Sequence, residues 1–359
     1  MESGIFDIID PVDKKNFDTK ADSSKYLLFN KVCFEKEELS SAKIAILGVG
    51  DNLLPVRKSL YSLYCSENIR IVDLGDLPEK KAGNLPKILK TLSDSNIFTI
   101  LAGNSIDASE YCFDAMTNSA DNSSLSASMI MPSVVQSNLP EAVRKHAKNL
   151  LNFNILGYQT YLSDPETLNF LSDNYFETFR LGSFREDNLV YEPPLRDSDI
   201  VIMDIASVKR SEAPDSTFSE INGLYTEEIC KISRYAGMSD NVKLIHIFSK
   251  DKITKKGQIS DLFAQIVWHT VDGYANRANE KMLNNVNGIK KIVVNFEAQK
   301  EVMVFYCSDR TRRWWMEIRD DLNNRTLYTA CSRDDYELAK NGTPPIKWIL
   351  YHQKLSSKI

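Results

Sequence analysis

Short, continuous apolar runs separated by amphipathic segments set the rhythm of this chain, beginning with KIAILGV at 43–49, IRIVDLGDL at 69–77 and IFTILAG at 97–103. A run that is apolar at nearly every position predicts a strand covered on both faces, which is the condition of strands in parallel sheets. Between the first two runs Pro55 opens VRKSLYSLY, where Val56, Leu60, Leu63 and Tyr64 share one helical face and proline takes a permitted first-turn position. LPKILKTLSDS at 85–95 supplies the next helix. A β-α-β-α-β opening implies a mainly parallel sheet with helices on both sides.

The same rhythm continues. SMIMPSVV at 128–135 is a strand interrupted by Pro132, LPEAVRKHAKNLLN at 139–152 a helix, FNILGYQT at 153–160 a strand and DPETLNFLSDN at 164–174 a helix. DSDIVIMDIAS at 197–207 and VKLIHIFSK at 242–250 are buried strands. YTEEICKISRYAGMS at 225–239 is a helix ended by Gly237, and 259–277 is a long helix with Ser260 as its N-cap. KKIVVNFEAQ, KEVMVFYCSD and TRRWWMEIRD then follow one another without helix spacing, which predicts an antiparallel appendage. SRDDYELAKNG at 332–342 carries a capping box from Ser332 to Asp335 and a terminal glycine. The polar stretch at 117–128 reads as a solvated loop.

Composition narrows the function classes. The chain has 359 residues, 43% of them hydrophobic, so it can bury a large core and is not predominantly disordered. A net charge of −5 argues against general nucleic-acid binding, and no apolar run reaches the roughly 20 residues that cross a bilayer. The start lacks the basic and apolar regions of a signal peptide, and six cysteines at long spacings form no C-x-x-C pair. These features predict a cytoplasmic protein with reduced thiols.

Motifs for common chemistries fail one by one. LGVGDN at 47–52 follows a strand, but Leu53 stands where a dinucleotide-binding loop has its third glycine, and no phosphate-binding G-x-x-x-x-G-K-[ST] occurs. G-x-S-x-G is absent. Arg310, Arg312, Arg313, Trp314 and Trp315 could stack and neutralise a single strand, yet the same residues anchor a hairpin to a core through cation–π contacts and ion pairs. His246 sits in the apolar run LIHIF, as a buried core histidine would, and His269 has no partner one helical turn away.

The order of segments resembles the ureohydrolase family, which includes arginase, agmatinase and formimidoylglutamase. AILGV at 45–49, IVDLGDL at 71–77 and ILAGNS at 100–105 carry the opening; FNILGYQTYLSDPETLNFL, FETFRLGSFR at 176–185, EPPLRDSDIVIMDIASVKRSEAP at 192–214 and GLYTEEICKISRYAGMSDNVKLI at 223–245 resemble the formimidoylglutamase branch. The likeness runs over 40–350 and includes WWMEI and CSRDDYELAKNGTPPIKW. It implies a three-layer α/β/α arginase-like fold: an extension over 1–40, an α/β domain over 41–290, and a β-hairpin and helix extension over 291–359 packed on that domain.

The resemblance also implies two Mn²⁺ ions at strand ends, held by G-G-D-H-S, D-A-H-x-D and S-F-D-x-D motifs, which activate water against an amidino carbon. In this chain the first motif falls on Ala102-Gly103-Asn104-Ser105-Ile106, with Ser105 at the histidine position. The second falls on Met131–Val135 around Ser133, without carboxylate or imidazole. The third keeps Asp204 but has Ala206 at its second aspartate, and a later acidic position falls on Ser249. Asp107, Asp114 and His246 could contribute to a rebuilt site, while Asp204 could be solvated, cap a turn, or pair with Lys209 or Arg210. The sequence therefore predicts a ureohydrolase fold that has lost its manganese site, holds no cofactor, and has a binding or structural role. A small ligand in the vestigial pocket and a homo-oligomer are the expected partners; nucleic acid and membrane are not. The alternative is an active amidine hydrolase with Mn²⁺ at a shifted site.

Overall fold

A computed structural model describes residues 3–17, 24–50, 52–117, 125–145, 147, 150–253, 257–280, 287–296, 301–320 and 324–356. The apolar runs become β1 (Val32–Cys33), β2 (Ile44–Gly50), β3 (Ile71–Pro78), β4 (Phe98–Gly103), β5 (Ser126–Ile130), β6 (Asn152–Tyr158), β7 (Glu177–Arg180), β8 (Ile200–Asp204) and β9 (Leu244–Phe248). They form one nine-stranded sheet in the order β1-β3-β2-β4-β9-β8-β5-β6-β7, and every pairing is parallel. This is the α/β architecture expected. Every residue of β4, β5, β6, β8 and β9 is buried. Alternate side chains of β2 divide between two cores, Ile44 and Ile46 on one face, Ala45, Leu47 and Val49 on the other. Helices cover both faces, as the continuous apolar pattern demands.

Four local expectations need correction. Gly237 does not end its helix, which runs Thr226–Met238. A Cβ there would lie 2.3 Å from the Thr270 carbonyl oxygen, and one at Gly273 would lie 2.3 Å from that of Arg234. Both glycines let this helix and Gln258–Ala275 touch backbone to backbone. Ser260 is not the N-cap of the second helix; Gly257 is, and the Ser260 hydroxyl accepts from the Gly257 amide at 2.9 Å from one turn inside. The polar stretch at 117–128 is in part a buried strand, since β5 begins at Ser126, while 118–124 lie outside the described residues. Its serines tolerate burial because Ser128 Oγ lies 2.7 Å from Ser198 Oγ and accepts from Asn154 Nδ2 at 3.0 Å. Of the helix expected over 139–152, Glu141–Lys145 is helical, residues 146, 148 and 149 lie outside the described set, and Asn152 already opens β6.

The tail forms a separate antiparallel sheet, β10 (Ile289–Phe296), β11 (Glu301–Ser308), β12 (Trp314–Asp320) and β13 (Arg325–Cys331), paired in sequence order. Helices Arg333–Lys340 and Ile346–Ser356 close a small core with Met303, Phe305, Met316 and Ile318. Ser332 caps the first of them and accepts from the Asp335 amide at 3.1 Å. The aromatic and basic cluster secures this sheet. Trp314 stacks on Tyr336 at 4.7 Å, the Arg196 guanidinium lies 4.5 Å above Trp315, and Arg313 pairs with Glu192 at 3.0 Å. Those side chains are engaged within the chain. All six cysteines are free thiols, and among the described residues no helix is long and apolar enough to cross a membrane.

Candidate functional site

Sheet register determines which loops meet. Gly103 of β4 and Asp204 of β8 both stand opposite Phe248 of the intervening β9, and Met203 stands opposite Ile130 of β5. The loops that leave these four strands therefore emerge at one edge of the sheet. They carry Ser105, Ser249, Ala206 and Ser133. Carboxyl ends of parallel strands, where the strand order reverses, are where open α/β sheets form crevices. The Ser249 amide donates to the Gly103 carbonyl at 3.1 Å, tying two of the loops together.

Asp204 is the one carboxylate among these positions, and it is 3% exposed. It caps the short helical turn Ile205–Ser207 by accepting from the Ala206 amide at 2.9 Å. Ala206 thus contributes a backbone donor and no metal ligand. Lys209 and Arg210 are not its partners, since Lys209 sits 4.3 Å over the Tyr225 ring and Arg210 donates to the Ser219 carbonyl at 2.9 Å. The charges acting on Asp204 come instead from the loop after β9, with Lys250 favouring its ionised form and Asp251 opposing it. Lys250 Nζ donates to Asn138 Oδ1 at 3.2 Å, and Asn138 Nδ2 donates to Ser133 Oγ at 3.1 Å. Asp251 is held by the Ser216 hydroxyl at 2.8 Å and the Thr217 hydroxyl at 2.6 Å, while Ser249 Oγ accepts from the Asp251 amide at 3.1 Å. Ser133 and Ser249 are thus hydrogen-bonded into a network centred on Lys250 and Asp251. Sequence reading missed Lys250, Asp251 and Asn138. SKD directly after a buried strand was their signal.

Burial pushes the Asp204 carboxyl up to about 6. The folded chain then holds a proton on Asp204 that the unfolded chain has lost, over the window between about pH 4 and pH 6. Its contribution to stability is present at the lower edge of that window and is lost as pH rises through 6. Above it, folding bears the cost of an ionised buried carboxylate, about 2–3 kcal/mol for a rise from 3.8 to about 6. Asp204→Asn keeps an acceptor for the Ala206 amide without that charge. Urea unfolding should find the variant more stable than the parent by about 1–3 kcal/mol at pH 7.5, with the gain falling to about a third at pH 4.5 and toward zero below about pH 3.5. A loss of stability at pH 7.5 would contradict this account of Asp204.

The candidates for a rebuilt metal site do not assemble. His246 is fully buried inside β9, with Nδ1 3.1 Å from Ser109 Oγ and Nε2 without a partner. Burial lowers it to about 3, so it is a neutral core imidazole. Asp107 is exposed and Asp114 half-buried on the helix Ala108–Thr117. His269, on the outer helix Gln258–Ala275, stands edge-on to Trp268 at 4.9 Å. Among the described residues no three His, Cys, Asp or Glu side chains converge as a metal site. Two divalent ions need several anionic or imidazole ligands to replace their hydration. One carboxylate that caps a turn does not fit that requirement.

No protein-family model matches the chain, and no curated protein matches it by sequence. Solved structures do. Trypanosoma cruzi formiminoglutamase, in its oxidised form at pH 4.6, superimposes with TM-score 0.61 and 17% identity, over 70% of this chain and 98% of that one. Formimidoylglutamase of Bacillus subtilis gives 0.59 and 14% over 73% and 97%, and the agmatine ureohydrolase of Thermoplasma volcanium 0.52 and 12% over 71% and 96%. The chain has the fold of the arginase-superfamily ureohydrolases. Within that class its structural neighbours include formimidoylglutamases. About seven-tenths of this chain matches them nearly end to end, a smaller share than the 40–350 span of the sequence resemblance.

Proposed function

We propose that this chain is a ureohydrolase-fold protein that works by binding or by assembly, and does not hydrolyse amidines at a manganese pair. One observation supports this above the others: the strand ends carry Ser105, Ala206, Ser133 and Ser249 around a single carboxylate, and Asp204 commits that carboxylate to capping a turn. A lone carboxylate leaves a divalent ion mostly water-bound, and Lys250 in the next loop adds a positive charge that disfavours a second cation there. Ser133 and Ser249 are in turn occupied by hydrogen bonds within the chain, to Asn138 and to the Asp251 amide. The proposed role keeps a small ligand or a second copy of the chain as partner, in a cytoplasmic setting.

The test is turnover. Purified protein preloaded with Mn²⁺ should release neither urea nor formamide from arginine, agmatine or formiminoglutamate above a metal-only control. Sustained release that Asp204→Asn abolishes would establish the opposite reading, a hydrolase with a shifted metal site.

A further inference from the structure

The carboxyl ends of β6 and β7 border a concave cleft of about 240 Å³ lined by Tyr158, Gln159, Tyr161, Arg180, Arg185 and Asn222, among others. Its lining includes two guanidinium groups and no carboxylate. The wall is rigid. Gln159 is 5% exposed, its Nε2 donates to the Asn222 carbonyl at 2.9 Å, and its Oε1 accepts both from Asn222 Nδ2 at 2.9 Å and from the Tyr161 hydroxyl. Tyr161 is therefore held by its hydroxyl while the residue as a whole is 72% exposed, the reverse of how an aromatic side chain ordinarily divides itself. Arg185 is held too, through Nη2 to the Gly223 carbonyl at 2.8 Å, with its guanidinium 5.3 Å above Tyr225 and Nε 3.7 Å from Glu228. Arg180 differs. Its side chain is exposed and makes no ion pair or side-chain hydrogen bond among the described residues.

A fixed aromatic face, a fixed guanidinium and an uncommitted one around a cleft without acids form a recognisable chemistry. Guanidinium forks match the paired oxygens of carboxylates and phosphates, and an exposed ring adds a surface for a flat or apolar body. We propose that this cleft binds a small organic oxyanion, with its carboxylate or phosphate between Arg180 and Arg185 and its body against Tyr161. The cleft shares no lining residue with the Asp204 and Lys250 network and does not depend on the reading given for it.

Calorimetric titration of the full chain with phenyl phosphate and with benzoate tests this. Saturable binding is expected for at least one of them, and which binds more tightly identifies the oxyanion. Arg180→Gln should weaken that binding about tenfold or more, the loss of one charge-assisted pair, and Arg180→Lys should fall between. Benzyl alcohol, which has the ring without the charge, should not bind. Thermal melts of the Arg180 variants should match the parent, because the side chain holds nothing else. No saturable binding of either anion, or binding left unchanged by both Arg180→Gln and Arg185→Gln, would overturn the proposal. Inorganic phosphate binding as tightly as phenyl phosphate would overturn the part assigned to Tyr161.

Discussion

Arg57→Ala is expected to destabilise the fold by about 3–5 kcal/mol, the range for removing one partner of a buried ion pair. Arg57 lies on the helix Leu54–Leu60 with its side chain 3% exposed. Its Nε donates to Asp73 at 2.7 Å and Nη2 at 3.0 Å, and Nη1 reaches Asp76 at 2.7 Å. Burial works against the guanidinium's charge, but Asp73 and Asp76 more than offset it and raise its pKa, so the group is ionised throughout. Without it Asp73, which is 1% exposed, is left on β3 with only the Tyr61 hydroxyl and the Gly75 amide as its donors. Tyr61 also belongs to the ring cluster with Phe17, Phe29 and Phe34, so the damage should reach the N-terminal segment packed there. Urea unfolding would measure the loss. Amide exchange should quicken in β1 and β3 before the middle of the sheet. A change under 1 kcal/mol would show that the pair is not desolvated as the structure has it.

Lys347→Ala should cost a similar amount, about 3–5 kcal/mol, with its effect at the opposite end of the chain. The ammonium is buried at the start of helix Ile346–Ser356, donating to the Ala330 carbonyl at 2.8 Å and lying 3.3 Å from Asp197 and 3.8 Å from Glu177. Burial opposes its charge, and the two carboxylates reverse that and hold it protonated. Asp197 also accepts from the Thr329 hydroxyl at 2.6 Å and the Ala330 amide at 2.8 Å, which makes this the seam between the antiparallel sheet and the parallel one. Truncation leaves two partly buried carboxylates sharing fewer donors. Exchange should rise selectively in β13 and the final helix, while β4 and β9 stay protected. Uniform loss across the chain would contradict a local seam.

How much of this was legible in the sequence depended on burial. β2, β4, β8 and β9 were readable because nearly every side chain in them enters a core, which leaves a continuous apolar run. β7 was not, because it is a four-residue edge strand with half-exposed residues, and neither was the two-residue β1. The start of β5 was disguised by Ser126 and Ser128, whose polar partners lie far off in sequence: the Ser126 amide donates to Asp199 and the Ser128 hydroxyl meets that of Ser198. Gly237 illustrates a different limit. A glycine near a helix end signals a stop, and only the crossing of two helices reveals that it serves their approach. At the site, Asp204 could be found by motif position, but Lys250 could not. A lysine after a strand is ordinary until the register of β4, β9 and β8 sets its loop beside that carboxylate.

The central proposal, that the strand ends around Asp204 do not hold a manganese pair, is tested most directly by counting metal. Protein equilibrated with excess Mn²⁺ and passed through a desalting column should retain well under one equivalent by elemental analysis, and Lys250→Ala should not raise it to two. Two equivalents of manganese retained by the parent chain and lost in Asp204→Asn would contradict the account.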